Sequence, residues 1–243
     1  MRVIRFIAAA VVLFIAQPVF AQEWDQYRNT EDRFTVSAPT TPPTVEKIQW
    51  KSEYDSIFPG TVYRWTQGQN KYSVTVVDYS NSEALFNANH HSDDFQGAAY
   101  WQIDILGSIQ YAASQYRYKP GAKVTFDAFH YINLVTGHEL QITNADQSKS
   151  MIAIYLHENR LYIFDATVAK GQPAPLIFQQ SPEFLDENGK SVRYRTYYYN
   201  RLPEAKLGRG RAGAGGDGGG PNNGGAPQGG QPVAPGAPQA QPR

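Results

Sequence analysis

Apolar and polar residues alternate with a period of two in several short stretches of this chain and with a period near three and a half in one long stretch. Residues 34–37, 45–52, 62–67 and 71–79 are rich in Val, Ile, Tyr, Phe and Thr, and turn formers part them at 39–43, 59–60 and 68–70. These runs predict strands. Across 92–118 the period changes. Ala98, Trp101, Ile105, Ile109, Ala112 and Tyr116 recur three or four apart and mark one face of a helix of about five turns, stopped by Pro120-Gly121. Four further strands follow at 123–134, 138–145, 150–157 and 160–168, with Glu158-Asn159 as a tight hairpin turn and 146–149 as a longer one, so this half reads as an antiparallel meander.

Val124, Phe126, Ala128 and Ile132 alternate cleanly, whereas 151–156 and 161–164 are apolar almost throughout, the pattern of central strands covered on both faces. A last helix is predicted over 175–185, with Pro175 at its start and Pro182 bending or breaking it. The expected fold is α+β: an antiparallel β-sheet flanked by helices on both faces, forming one domain over residues 22–200.

The two ends of the chain have other patterns. Arg2 and Arg5 precede an apolar run from Phe6 to Ile15, then Gln17-Pro18 and Val19-Phe20-Ala21, which reads as a secretory signal peptide over 1–21 with cleavage before Gln22. No later stretch is long and apolar enough to span a bilayer, so a periplasmic or secreted protein without a transmembrane segment is expected after cleavage. Residues 201–243 begin basic, with Lys206, Arg209 and Arg211. From Gly208 onward Gly and Pro make up about half of the residues, too little bulk to offset the entropy of ordering, so a disordered tail is expected. Its basic start fits an anionic envelope polymer or lipid surface.

Composition narrows the chemistry. The absence of cysteine removes disulfides, thiolate zinc sites, iron–sulfur clusters, thiol nucleophiles and lipidated cysteine. Equal numbers of acidic and basic residues, with two of the arginines in the signal, argue against a nucleic-acid partner. The chain contains no G-x-S-x-G elbow, P-loop, dinucleotide fingerprint or H-E-x-x-H motif, so an enzyme is not expected and no cofactor is implied.

Five histidines are the groups suited to metal binding or proton transfer near neutral pH. His90-His91-Ser92-Asp93-Asp94 reads either as a metal-holding loop or as the N-cap and acidic first turn of the long helix. His130 and His138 share parity with the apolar residues of their strands, which would set both on one inner face if those sets face together. Asp78 and Asp165 also fall at core-like positions. These four are the candidate ligand-binding residues of a polar pocket, with the alternative that each satisfies a backbone group or ends a strand. His157, beside the hairpin turn, is expected in solvent. Arg193, Tyr194, Arg195, Tyr197, Tyr198 and Tyr199 alternate just before the tail. They form a candidate interaction surface or, equally, an edge strand with tyrosines packed inward.

The early strand Asp32-Arg33-Phe34-Thr35-Val36-Ser37-Ala38-Pro39, the middle helix, the meander and the closing Phe178-Gln179-Gln180-Ser181-Pro182-Glu183-Phe184-Leu185 resemble the PsbP-type α/β/α sandwich. The Tyr72 to Tyr79 strand and the Ile154 to Tyr162 hairpin are similar to those of uncharacterised exported proteins of alphaproteobacteria. The resemblance covers most of residues 24–194. It implies an accessory or interaction module of the cell envelope, with an envelope protein or anionic envelope polymer as partner. The alternative is a small-ligand or metal-binding domain.

Overall fold

The computed structural model describes residues 24–89 and 100–203. The signal-peptide stretch, His90 to Asp94 and nearly all of the tail lie outside the described residues, which all belong to one unit of the chain, Met1–Ala205.

Among the described residues ten strands form two antiparallel sheets. β1 (Trp24–Asn29) and β2 (Phe34–Pro39) make a hairpin, to which the two-residue β10 (Glu183–Phe184) adds on the free side of β2. The larger sheet has seven strands: β3 (Thr44–Lys51), β4 (Ile57–Gln67), β5 (Asn70–Asp78), β6 (Lys123–Ile132), β7 (Val135–Thr143), β8 (Lys149–His157) and β9 (Arg160–Val168). Its order, β3-β4-β5-β9-β8-β7-β6, joins two meanders at the β5–β9 pair. Helices α1 (Ser82–Asn89) and α2 (Tyr100–Arg117) lie in sequence between β5 and β6, and α3 (Leu176–Gln180) follows β9.

Each face of the large sheet carries its own core. On one, Val77, Leu140, Ile152, Ile154, Leu161 and Ile163 pack with Trp101, Ile105 and Ala112 of α2 and Phe86 of α1. On the other, Tyr63, Trp65, Tyr72, Tyr155, Tyr162 and Phe164 meet Phe34 and Val36 of β2, Phe184 of β10 and Phe178 of α3. Strand β8 is buried from Ser150 to His157, the expectation from its unbroken apolar run.

The expected class, one antiparallel sheet flanked by helices on both faces in a PsbP-like sandwich, is corrected by this arrangement. Among the described residues the fold is mostly antiparallel sheet with three small helices, and one face is covered by a second sheet instead of a helical layer. Two local causes act. Trp24–Asn29 pairs with Phe34–Pro39 in full register, which takes β2 out of the large sheet. Pro182 limits the last helix to five residues, and the chain beyond it turns into β10. A smaller correction concerns Pro59-Gly60, read as a turn but lying inside β4. Pro59 pairs only with Gln49 of β3, because the β5 ladder begins at Gly60, so its missing N–H interrupts no second ladder.

Candidate functional site

His130 and His138 fall on opposite faces of the large sheet. The β6–β7 turn is the dipeptide Asn133-Leu134, with both residues at positive φ, as a type I′ hairpin requires. A two-residue turn sets Ile132 opposite Val135, and then Phe129 opposite His138 and His130 opposite Gly137. Directly paired residues share a face, so positions of equal parity in the two strands point apart. A register shift between Val124 and Phe126 returns Val124 to the side of Ile142, which is why the apolar alternation of β6 misreports the faces.

On the small-sheet face, His130 Nδ1 lies 2.8 Å from the Tyr155 hydroxyl and its Nε2 3.5 Å from Glu139 Oε2. Burial, with the Glu139 charge nearby, raises the Tyr155 pKa far above the ordinary phenol value. Tyr155 therefore stays a phenol, and its hydroxyl shares a hydrogen bond with His130 Nδ1. The ring of Tyr155 crosses Gly137. A Cβ at that glycine would stand 2.2 Å from the Ile154 carbonyl oxygen and 2.4 Å from Tyr155 Cδ1. Gln141 Nε2 donates to Glu139 Oε1 at 3.0 Å. His130, Glu139 and Gln141 border a cavity of about 390 Å³ closed on one side by Leu176, Gln179 and Gln180 of α3.

His138, on the helix face, has a different setting. Its Nε2 donates to Asp127 Oδ1 at 2.5 Å, and Gln110 Nε2 of α2 donates to its Nδ1 at 3.3 Å. Arg117 grips the same carboxylate through two nitrogens at 2.6 and 3.0 Å. That grip and the His138 bond hold Asp127 down at about 2. Both ring nitrogens of His138 are occupied, so the cluster ties α2 to the β6–β7 hairpin. Asp127→Ala is expected to cost about 1–2 kcal/mol in urea denaturation by leaving His138 short of an acceptor; an unchanged midpoint would remove it from the list of ties.

Asp78 ends β5 and accepts from the Ser80 backbone N–H at 2.9 Å and from the Ser80 hydroxyl, a turn lock ahead of α1. Asp165 sits on the helix face of β9 under Tyr116, whose hydroxyl donates to it. Burial pushes its carboxyl up to about 6, against the lowering effect of Tyr116 and Thr167. Thr167 continues through Ser150 at 2.7 Å to Asn144 at 2.9 Å. A cavity of about 220 Å³ joins Asp165 and Thr167 to Lys71 and Ser73. His130, His138, Asp78 and Asp165 thus occupy four separate surroundings. Among the described residues no three His, Asp or Glu side chains are placed to hold a metal ion.

The Tyr/Arg segment divides by orientation. Tyr194 and Tyr198 turn inward onto His157, which is fully buried. This corrects its expected place in solvent: its ring stacks on Phe184 at 4.8 Å, its Nε2 pairs with the Tyr194 hydroxyl at 2.7 Å, and burial, aided by Arg160 and Arg33, lowers it to about 4. The segment is no edge strand but a strap across two hairpin turns. Tyr198 N–H donates to the Leu134 carbonyl at 2.8 Å, and the Tyr198 hydroxyl accepts from Glu158 N–H at 3.0 Å. Asn200 Oδ1 accepts from Asn159 N–H at 2.8 Å. Tyr197 and Tyr199 point outward, 48% and 69% exposed. Tyr131 of β6 meets Tyr197 edge to face at 5.4 Å, and Phe129 extends the exposed aromatic row. Arg193 lies 3.6 Å from Glu183, and Arg195 is exposed. Sequence reasoning missed Phe129, Tyr131 and Glu139; the only local signal was the Phe-x-Tyr spacing in β6.

No protein-family model matches the chain, and no curated protein matches it. Among solved structures it is similar to cyanobacterial PsbP (CyanoP) from Synechocystis sp. PCC 6803, at 11% identity over 70% of this chain and 96% of that one, with a TM-score of 0.40. It is also similar to PA94, a protein of unknown function from Pseudomonas aeruginosa, at 13% identity over 63% of this chain and 86% of that one, with a TM-score of 0.25.

Proposed function

We propose that this chain is an exported, non-enzymatic accessory or interaction module of the bacterial cell envelope that engages a partner protein or anionic envelope polymer through the aromatic surface at the strap. One observation carries the reading. Tyr197 and Tyr199 stand exposed, Tyr197 against Tyr131 of β6, while their neighbours Tyr194 and Tyr198 are anchored against the core. Rigid, amphipathic side chains held on an anchored backbone lose little entropy on binding, and Arg195 and Arg201 supply charge at the rim. The signal-like pattern of residues 1–21 supports export, and no described helix is long and apolar enough to cross a membrane.

The test must spare the strap's inward residues, because deleting the whole segment would uncover His157. The Tyr197→Ala/Tyr199→Ala double variant is expected to lose about tenfold or more of partner cross-linking in intact cells, with thermal unfolding within about 2 °C of the parent. Unchanged cross-linking in the folded variant would sink this surface. A second reading, a small-ligand domain, is favoured by the cavity beside His130; His138 and Asp78 do not line it.

A further inference from the structure

We infer that the cavity between β6, β7 and α3 binds a small organic cation, a protonated amine carried on an apolar body. The site's charged group is an under-satisfied carboxylate. Glu139 is the one carboxylate among the residues lining the cavity, and its side chain is only 15% exposed. Its Oε1 is held by Gln141, but the 3.5 Å from Oε2 to His130 Nε2 is too long for a good hydrogen bond. A carboxylate withdrawn from water with one oxygen under-satisfied is costly unless a positively charged donor reaches it.

Gln179 of α3 forms part of the wall, with its Oε1 buried out of reach of the open space. It is 6% exposed, its amide nitrogen donates to the carbonyls of Met151 and Phe164, and its Oε1 has no partner among the described residues. The rest of the lining is apolar or neutral: Ile132, Met151 and Leu176 offer carbon surface, and Leu176 is 46% exposed at the rim. A site with one under-satisfied carboxylate and an apolar wall selects a ligand that brings an N–H donor, positive charge and a hydrocarbon body. The volume of about 390 Å³ is at the small end of the range for ligand sites.

His130 takes the positioning role in this site. Its ring stands between Tyr155 and Glu139, with Nδ1 2.8 Å from the hydroxyl and Nε2 3.5 Å from Oε2, and borders the carboxylate on one side of the cavity.

Phenethylammonium and phenylacetate share one ring and differ in charge. Titrated into the folded protein and followed by the His130 and Tyr131 side-chain resonances, phenethylammonium is expected to shift these signals in a saturable way, and phenylacetate to leave them in place. Glu139→Gln should weaken the amine by about tenfold or more. Gln180→Lys, on the exposed end of α3, should weaken it by repulsion without touching Glu139, and decides the matter if Glu139→Gln fails to fold. The inference is overturned if no shift occurs at about 10 mM amine, if phenylacetate binds equally well, or if a folded Glu139→Gln or Gln180→Lys protein binds the amine as the parent does. Partner capture through Tyr197 and Tyr199 is read separately, so either proposal can fail alone.

Discussion

Gly137→Ala is expected to destabilise the protein by about 3 kcal/mol or more, the upper end of the range for overpacking a core position. The added methyl would meet the Ile154 carbonyl oxygen at 2.2 Å and Tyr155 Cδ1 at 2.4 Å. A side-chain tip gives way cheaply, but the Ile154 carbonyl belongs to a central strand, and moving it strains the ladders on both sides of β8. Relief would have to come from lifting Tyr155, which fills the core between Phe164 and Phe184 and carries the bond to His130. Gly68→Ala is the matching control. Gly68 has φ of +61° but open space around it, so alanine there pays only backbone strain, about 1 kcal/mol. Urea midpoints of the two variants separate strain from collision. A loss at Gly137 no larger than at Gly68 would mean that Tyr155 does not lie on the glycine, and its placement beside His130 would fall with it.

The second large effect lies in the pH dependence of stability, and it is hidden by two opposed groups. Folding excludes the His157 proton: its pKa is lowered from 6.5 to about 4, so between these values the unfolded chain binds a proton the folded chain does not. Stability therefore falls as pH drops from 6.5 to about 4, by about 3 kcal/mol over the window. Asp165 acts in the other direction. Its carboxyl is raised from 3.8 to about 6, so the folded chain keeps a proton that the unfolded chain releases, and stability falls as pH rises through that window.

The two slopes nearly cancel between about pH 4 and 6, and the parent should show an almost flat profile there. Asp127, held at about 2, titrates below this range. Asp165→Asn should uncover the His157 slope, losing stability on acidification from pH 6.5. His157→Phe, which keeps an aromatic ring between Phe184 and Tyr198, should uncover the opposite slope. Urea midpoints at half-unit steps of pH measure both. A flat profile for Asp165→Asn would show that His157 is not held neutral by burial. Limited proteolysis adds a local readout: as His157 takes up a proton, its contacts with Tyr194 and Tyr198 loosen and the strap at 194–200 becomes the first site of cleavage.

Some of this architecture is legible residue by residue. The unbroken apolar run in β8 predicts burial on both faces, the three-and-four spacing of Trp101, Ile105 and Ala112 predicts the packed face of α2, and Glu158-Asn159 predicts the hairpin it forms. Each of these signals is complete within a few residues, because strand and helix periods and turn dihedrals are local properties of the backbone.

The candidate site is another matter. His130 and His138 have the parity of one face in the sequence and occupy two faces in the protein, because a two-residue turn and a bulge reset the pairing between their strands. His157 has a charged neighbour on a tight turn and still lies fully buried, because Tyr194 and Tyr198, more than thirty residues later, close over it. The strand at Phe34 reads as part of the main sheet and belongs to another, because its partners are Trp24 to Asn29 on one side and Glu183-Phe184 on the other.

The sequence by itself determined the meander strands and the packed face of α2, the apolar centre of the large sheet, the absence of thiol chemistry and the signal-like and tail-like patterns at the two ends. Tertiary structure alone decided which face each histidine takes, which tyrosines are anchored and which exposed, and that Glu139 and Gln179 border one cavity. The physical reason is range: periodicity and turn chemistry act over a few bonds, whereas burial and electrostatic environment depend on whichever distant residues the pairing brings alongside.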